Sequence, residues 1–220
     1  MSRRGVVMAG ASAVALTAAA AAWWYTDRAP YPYAQRRLLD LPLPFLANRN
    51  LDALLAARPG ERILEIGPGT GLQALHVARQ LGDAGRLDIV DVQDEMLEHV
   101  MGRARAEGIG PIAATRADAR ELPFPDGTFD AAYLVTVLGE IPDPGAALRE
   151  LRRVLAPSGR LVVGEFFDRH FVPITDLLRY AGEADLELSA RLGPPVAYLA
   201  RLRPCCSVCC PVRGGRDMVS

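Results

Sequence analysis

The stretch ILEIGPGTG, residues 63–71, passes one carboxylate, Glu65, and breaks into glycines at 67, 69 and 71. Glycine tolerates positive φ and carries no Cβ, so such a turn lets backbone N–H groups come close to a ligand. A dinucleotide turn has the spacing G-x-G-x-x-G, with a pyrophosphate on the helix N-terminus that follows. Here the third glycine comes one residue early, and Glu65 puts negative charge where a pyrophosphate would be repelled. The ligand expected at this turn carries an amine or cation and no phosphate. Two acids farther along extend the pattern. Asp91 closes the apolar run LDIVD, where a carboxylate can accept both hydroxyls of a ribose. Asp118, in RADARELPFPDGTFD, ends a third run and can take the exocyclic amine of an adenine. One acid each for an amino-acid part, a ribose and an adenine describes S-adenosylmethionine better than NAD.

A second group of residues could move protons. Glu140 in VLGEIPDP, and Glu165, Asp168 and His170 in GEFFDRHF, fall where two later strands end. Each is a candidate general base for a carbon acid or phenol, and each has a plainer role: Glu140 starting a loop, Glu165 supporting the crevice, His170 solvated at the surface. Phe166 and Phe167 are candidates to shape an acceptor pocket or to pack on a cap. His76 and His99 lie inside helical stretches and are set aside.

These residues need a scaffold that brings strand ends together. Short β-rich runs near 62–66, 86–91, 111–116, 129–135 and 159–165 alternate with helical periodicity near 70–81, 94–107, 144–155 and 174–183. Such alternation predicts βαβ units and a doubly wound parallel sheet. Segments 185–191 and 196–203 are joined by only Leu192, Gly193, Pro194 and Pro195, too few for a crossover, so they must form an antiparallel hairpin.

On these residues the chain resembles the class I S-adenosylmethionine-dependent methyltransferases, and among them the small-molecule branch that includes the ubiquinone/menaquinone C-methyltransferases. The motifs are E-x-G-x-G-x-G at Glu65, Gly67, Gly69 and Gly71; Asp91; the stretch through Asp118, Ala119, Leu122, Pro123, Phe124, Asp126, Phe129 and Asp130; and LRELRRVLAPSGRLVVGE. The resemblance covers roughly residues 50–203. It implies a Rossmann-like α/β fold of seven strands in the order 3-2-1-4-5-7-6, the last antiparallel. It further implies that Gly67, Gly69 and Gly71 line the methionine part of the donor, that Glu65 organises the turn, and that Asp91 holds the ribose. Asp118 and Ala119 would face adenine, Met96 would pack on its ring, and Thr136 would border both donor and acceptor. Marks of the nucleic-acid branches are missing: no [DN]-P-P-[YFW] turn follows strand 4, where the chain has TVLGEI, and its one Pro-Cys pair is Pro204-Cys205. A small acceptor is expected, with lipophilic acceptors of quinone or lipid type among the candidates. A non-catalytic S-adenosylmethionine-binding protein, aminopropyl transfer and an NAD-dependent oxidoreductase are the alternatives.

The chain as a whole sets bounds. It has 220 residues and net charge -1, so no global field favours a nucleic-acid partner, and its 25 basic residues are all arginine. Residues 1–28 hold an uncharged run, Gly5 to Ala22, followed by Trp23, Trp24 and Tyr25, which fits an anchor or a signal-like segment through residues 5–25. Because the donor is cytosolic, a membrane-associated enzyme needs its catalytic domain on the cytoplasmic side; a soluble cytoplasmic enzyme is the alternative. Residues 29–49 are Pro-rich and read as a linker or cap. All four cysteines, Cys205, Cys206, Cys209 and Cys210, fall in the tail 204–220, expected to be unstructured. They lack the second separated arm of a thiolate metal centre, and no metal site is expected.

Overall fold

The structure, a computed structural model, describes Pro32, Tyr33 and residues 47–205. Alternation of strand and helix builds one sheet from β1 (Arg62–Ile66), β2 (Arg86–Asp91), β3 (Ile112–Arg116), β4 (Phe129–Val135), β5 (Leu155–Phe166), β6 (Leu186–Leu192) and β7 (Ala197–Pro204). Among the described residues five helices cover it: α1 (Asn48–Leu55), α2 (Leu72–Leu81), α3 (Asp94–Ala106), α4 (Pro144–Val154) and α5 (Ile174–Glu183). The strand order is β3-β2-β1-β4-β5-β7-β6, as expected. Strands β1 to β5 pair in parallel, and β7 runs against both β5 and β6. The hairpin turns at Gly193, whose φ of 88° a side chain would strain.

Alternating side chains on the central strands bury both faces. Ile63, Ala131 and Tyr133 pack with α1, α2 and α3, whereas Leu64, Ala132 and Leu134 pack with α4 and α5. α4 starts where the sequence provides a cap: Asp143 accepts a hydrogen bond from Ala146 N at 2.9 Å, with Pro144 at the first helical position.

Two elements differ from the sequence-based expectation. Among the described residues the first α-helix is α1, from Asn48, whose Leu51, Leu54 and Leu55 form one buried stripe. This helix is short and begins within the segment expected as linker. It is held from outside, by Arg160 donating to the Leu55 and Ala56 carbonyls and pairing with Glu61. β5 begins at Leu155, earlier than expected, because a register shift lets Leu155 pair with Phe129 before the regular ladder from Arg160 onward. Residues 5–25, most of the cap and Cys206, Cys209 and Cys210 lie outside the described residues. Among the described residues no helix is long and apolar enough to cross a membrane, and no three His, Cys, Asp or Glu side chains gather as a metal site.

Candidate functional site

Parallel strands that end at one edge of the sheet leave a crevice there. In this protein it is a cavity of about 550 Å³ between the ends of β1, β2, β3 and β4. Gly67, Gly69, Asp91, Met96, Asp118, Ala119, Thr136 and Glu140 all line it. Residues separated by 73 positions in sequence, from Gly67 to Glu140, thus share one wall.

The glycine turn is shaped by close approach. Gly67 has φ 65° and donates to Val90 O at 2.8 Å; a Cβ there would sit 2.5 Å from Val137 Cγ2. Gly69 has φ 53°. Gly71 departs from the resemblance, because it does not line the cavity. It stands before α2 with φ 86°, and a Cβ there would come 3.0 Å from Val100 of α3. The early third glycine therefore serves helix packing, and α3 returns a bond to the turn through Arg103 Nη1, which donates to Thr70 O at 2.8 Å.

Glu65 also lies behind the cavity wall. It is 3% exposed on β1, in register with Tyr133 of β4, and its Oε2 has no hydrogen-bond partner. Burial pushes its carboxyl up to about 8; the nearby Tyr133 opposes the shift and the charge of Asp91 adds to it. Asp91 accepts Gln93 N at 2.9 Å, and burial, with Glu140 as a like charge, pushes its carboxyl up to about 6. Asp118 is different: Arg120 forks onto it with bonds of 2.6 to 3.1 Å, which holds its carboxyl below the usual range. Any ligand amine at Asp118 shares that carboxylate with Arg120, a pairing the sequence reading missed. Thr136 holds φ 57°, a strained backbone for a β-branched residue, and its hydroxyl donates to Val135 O at 2.7 Å.

The proton-handling candidates separate into layers. Glu140 borders the cavity from a short 3-10 turn, Leu138–Glu140, and its Oε1 lies 3.4 Å from His170 Nδ1. Burial raises its carboxyl and His170 lowers it, with Asp168 pushing it up again. His170 is not the surface residue expected from its polar surroundings. It is 5% exposed, because Gly139 sits directly on its backbone: a Cβ at Gly139 would lie 1.6 Å from the His170 carbonyl oxygen. Glu165 does not line the cavity either. Its Oε2 accepts Val172 N at 3.1 Å, which ties the loop after β5 in place. Asp168 accepts His170 N at 2.7 Å within that same loop. Neither Phe166 nor Phe167 lines the cavity; Phe167 is 62% exposed and leans on Phe171. His76 ties α2 to α1 through Asp52 at 2.8 Å, and His99 meets Tyr33 on the outer side of α3.

Burial also pushes the Glu165 carboxyl up to about 8. Glu65 and Glu165 therefore keep protons in the folded chain that the unfolded chain releases near the ordinary value of 4.5. The folded state binds more protons between those values, so stability falls as pH rises from 4.5 to 8 and the full penalty applies above 8. At on the order of 2 kcal/mol for each group, the melting temperature should drop by roughly 5 to 10 °C from pH 6 to pH 8.5. Calorimetric melts across that range check this, and Glu165→Gln should flatten the slope.

The geometry can be set beside known proteins. The family described as "Methyltransferase domain" matches residues 63–159. The chain is 38% identical over 143 residues to the "Ubiquinone/menaquinone biosynthesis C-methyltransferase UbiE" of Vibrio campbellii, covering 64% of this chain and 54% of that protein. It is 42% identical over 111 residues to the protein of the same name from Vibrio parahaemolyticus, covering 50% and 43%. The chain thus spans about half the length of the curated relatives it matches. Among solved structures it superposes on a SAM-dependent methyltransferase from Aquifex aeolicus with TM-score 0.71 at 18% identity, over 79% of this chain and 98% of that one. It also superposes on the [4+2]-cyclase SpnF with TM-score 0.64 at 24% identity, over 83% and 86%. The matched domain, the strand order and the reversed last strand agree, and the chain resembles the class I methyltransferases, the UbiE proteins among them.

Proposed function

We propose that this chain transfers a methyl group from S-adenosylmethionine to a small acceptor. The observation that carries this reading is the convergence of Gly67, Gly69, Asp91, Met96, Ala119, Thr136 and Glu140 on one cavity. The residues fit the donor and not a dinucleotide. Asp91 and Glu140 border the cavity, and the one arginine lining it among the described residues, Arg120, is already engaged by Asp118. Such a set suits a cationic ligand and opposes a pyrophosphate.

In this reading Gly67 and Gly69 admit the methionine part, Asp91 accepts the ribose hydroxyls, and Met96 and Ala119 give the adenine an apolar wall. Bound there, the donor supplies a methyl group on a sulfonium, ready for in-line displacement by an aligned nucleophile. Alignment is the protein's main contribution, and orientation effects can amount to roughly 7 to 11 kcal/mol. Thr136, fixed in its strained conformation, borders donor and acceptor. Glu140 takes the proton the acceptor loses, and His170 behind it holds the carboxyl in place. Glu140→Gln should therefore lower turnover by about 100-fold or more, the usual scale for losing a general base, while weakening donor binding far less than that. Single-turnover rates beside calorimetric titration separate these two effects.

The relatives support a quinone-type acceptor. They are named as C-methyltransferases of ubiquinone/menaquinone biosynthesis, and the cavity rim carries exposed Leu72 and Val92, which suits an apolar ring. Association with a membrane through residues 5–25 belongs to the same proposal and is supported by the uncharged run and its aromatic border. Fractionation of cells expressing the full chain or a chain lacking residues 1–28 tests it. SpnF, named as a cyclase, has a similar fold, and one fold can serve different chemistry. Titration with S-adenosylhomocysteine and, separately, NADH tests the donor: tight binding of the first alone is expected, and tight binding of NADH alone would overturn it.

A further inference from the structure

The connection from β3 to β4, residues 117–128, must pass from the sheet's edge to its middle, because β2 and β1 lie between those strands. Parallel crossovers normally use a helix for such a path. This one contains no helix and no strand, yet its first four residues, Ala117 to Arg120, form a wall of the cavity. Something outside the segment has to hold it.

At its start Ala117 N donates to Asp91 O at 3.1 Å, and Leu122 anchors its side chain in the core at 4% exposure. Much of the rest of the hold comes from one residue on α4. Arg153 Nε donates to Glu150 Oε1 at 2.8 Å; Nη2 donates to Glu150 Oε2 at 2.8 Å and to Leu122 O at 2.9 Å; Nη1 donates to Phe124 O and to Asp126 Oδ1, both at 2.8 Å. A guanidinium has five N–H donors, and all five are used. The same helix closes the clamp twice more: Glu150 Oε2 accepts Leu122 N at 2.8 Å, and Arg153 O accepts Gly127 N at 3.0 Å. The planar fork of arginine matches these scattered carbonyls, which three donors on a single lysine nitrogen cannot do.

We propose that Arg153, which does not touch the cavity, is a positioning residue that sets affinity for the adenosyl donor by holding the wall Ala117 to Arg120. The proposal rests on the donor reading given above. It does not involve the acceptor, so it can fail or stand apart from the methyl-transfer claim.

The test uses the full chain and S-adenosylhomocysteine, titrated at low temperature where the variants are folded, with amide exchange measured at Arg120 and Glu121. Those two amides bond within the segment, to Asp118, and not to Arg153 or Glu150. Arg153→Ala should raise Kd by tenfold or more and speed exchange at both amides by a similar factor. Arg160→Ala is the control for lost stability, because Arg160 likewise bonds carbonyls and a glutamate but secures α1 at the far end of the sheet. It should lower the melting temperature and leave Kd and both amides unchanged. A folded Arg153→Ala chain with Kd within twofold of wild type, or with unchanged exchange, overturns the proposal. If Arg153→Ala does not fold, Arg153→Lys decides, with at least a threefold rise in Kd expected and wild-type behaviour contradicting it. A wild-type chain that binds no S-adenosylhomocysteine would sink the donor assignment, and the exchange rates would then decide whether Arg153 holds the wall.

Discussion

Replacing Asp91 with asparagine is expected to weaken binding of S-adenosylhomocysteine by about 100-fold without lowering the melting temperature. Hydrogen bonds from a ribose to a carboxylate contribute about 1.5 to 3 kcal/mol each, and 2.7 kcal/mol corresponds to about 100-fold in Kd. The fold should not suffer, because Asp91 is strained by burial and by the like charge of Glu140, and the neutral amide relieves both. Its oxygen can still accept Gln93 N, so the turn into α3 is kept. The pH dependence sharpens the expectation. With the Asp91 carboxyl pushed up to about 6, the carboxylate that binds the ribose is present above pH 6 and lost below it. The wild-type Kd should be nearly constant from pH 7 to 8 and about tenfold higher at pH 5, whereas the asparagine variant should show no such step. Calorimetric titration of both proteins over that range checks sign and size together.

The second large effect is structural. Gly139→Ala should cost on the order of 3 kcal/mol or more, lowering the melting temperature by roughly 10 °C, although no cavity is filled and no charge is lost. Its Cβ would lie 1.6 Å from the His170 carbonyl oxygen, and both atoms belong to backbone or are fixed to it, so no rotamer change relieves the contact. One of the two loops must move. The turn Leu138–Glu140 carries Glu140 into the cavity, and the loop after β5 carries His170 against it, so their 3.4 Å approach is lost with the packing. Thermal melts measure the first consequence. Single-turnover rates measured well below the melting temperature give the second, with a loss as large as that of Glu140→Gln expected.

The sheet was legible from the sequence because each of its elements has a local cause. Apolar strand runs, helical periodicity and a loop too short for a crossover predict the strand order's reversed end without any long-range information. The cavity was legible to the extent that strand ends are: Gly67, Gly69, Asp91, Asp118 and Thr136 all fall at such ends, and all line it. What escaped was set by packing between distant segments. His170 reads as a surface residue in DRHF, and only the backbone of Gly139, 31 positions earlier, covers it. Gly71 reads as part of the ligand turn, and the side chain that claims it is Val100, on the next helix. Arg153 reads as one of several arginines on α4, and its bonds to Leu122, Phe124 and Asp126 become visible only once the crossover is laid along that helix. Glu165 reads as a base at a strand end, and burial with a bond from Val172 N turns it into a support.

The central claim is methyl transfer by this cavity, and the most direct measurement supplies the full chain with methyl-labelled S-adenosylmethionine and separate lipid and aqueous fractions of a cell extract. Label should pass to a small molecule, in the lipid fraction if the acceptor is quinone-like, and Asp91→Asn assayed at limiting donor should transfer it at about a hundredth of the rate. Equal labelling by wild type and variant, or transfer to no fraction by a wild-type chain that binds the donor, would contradict the account.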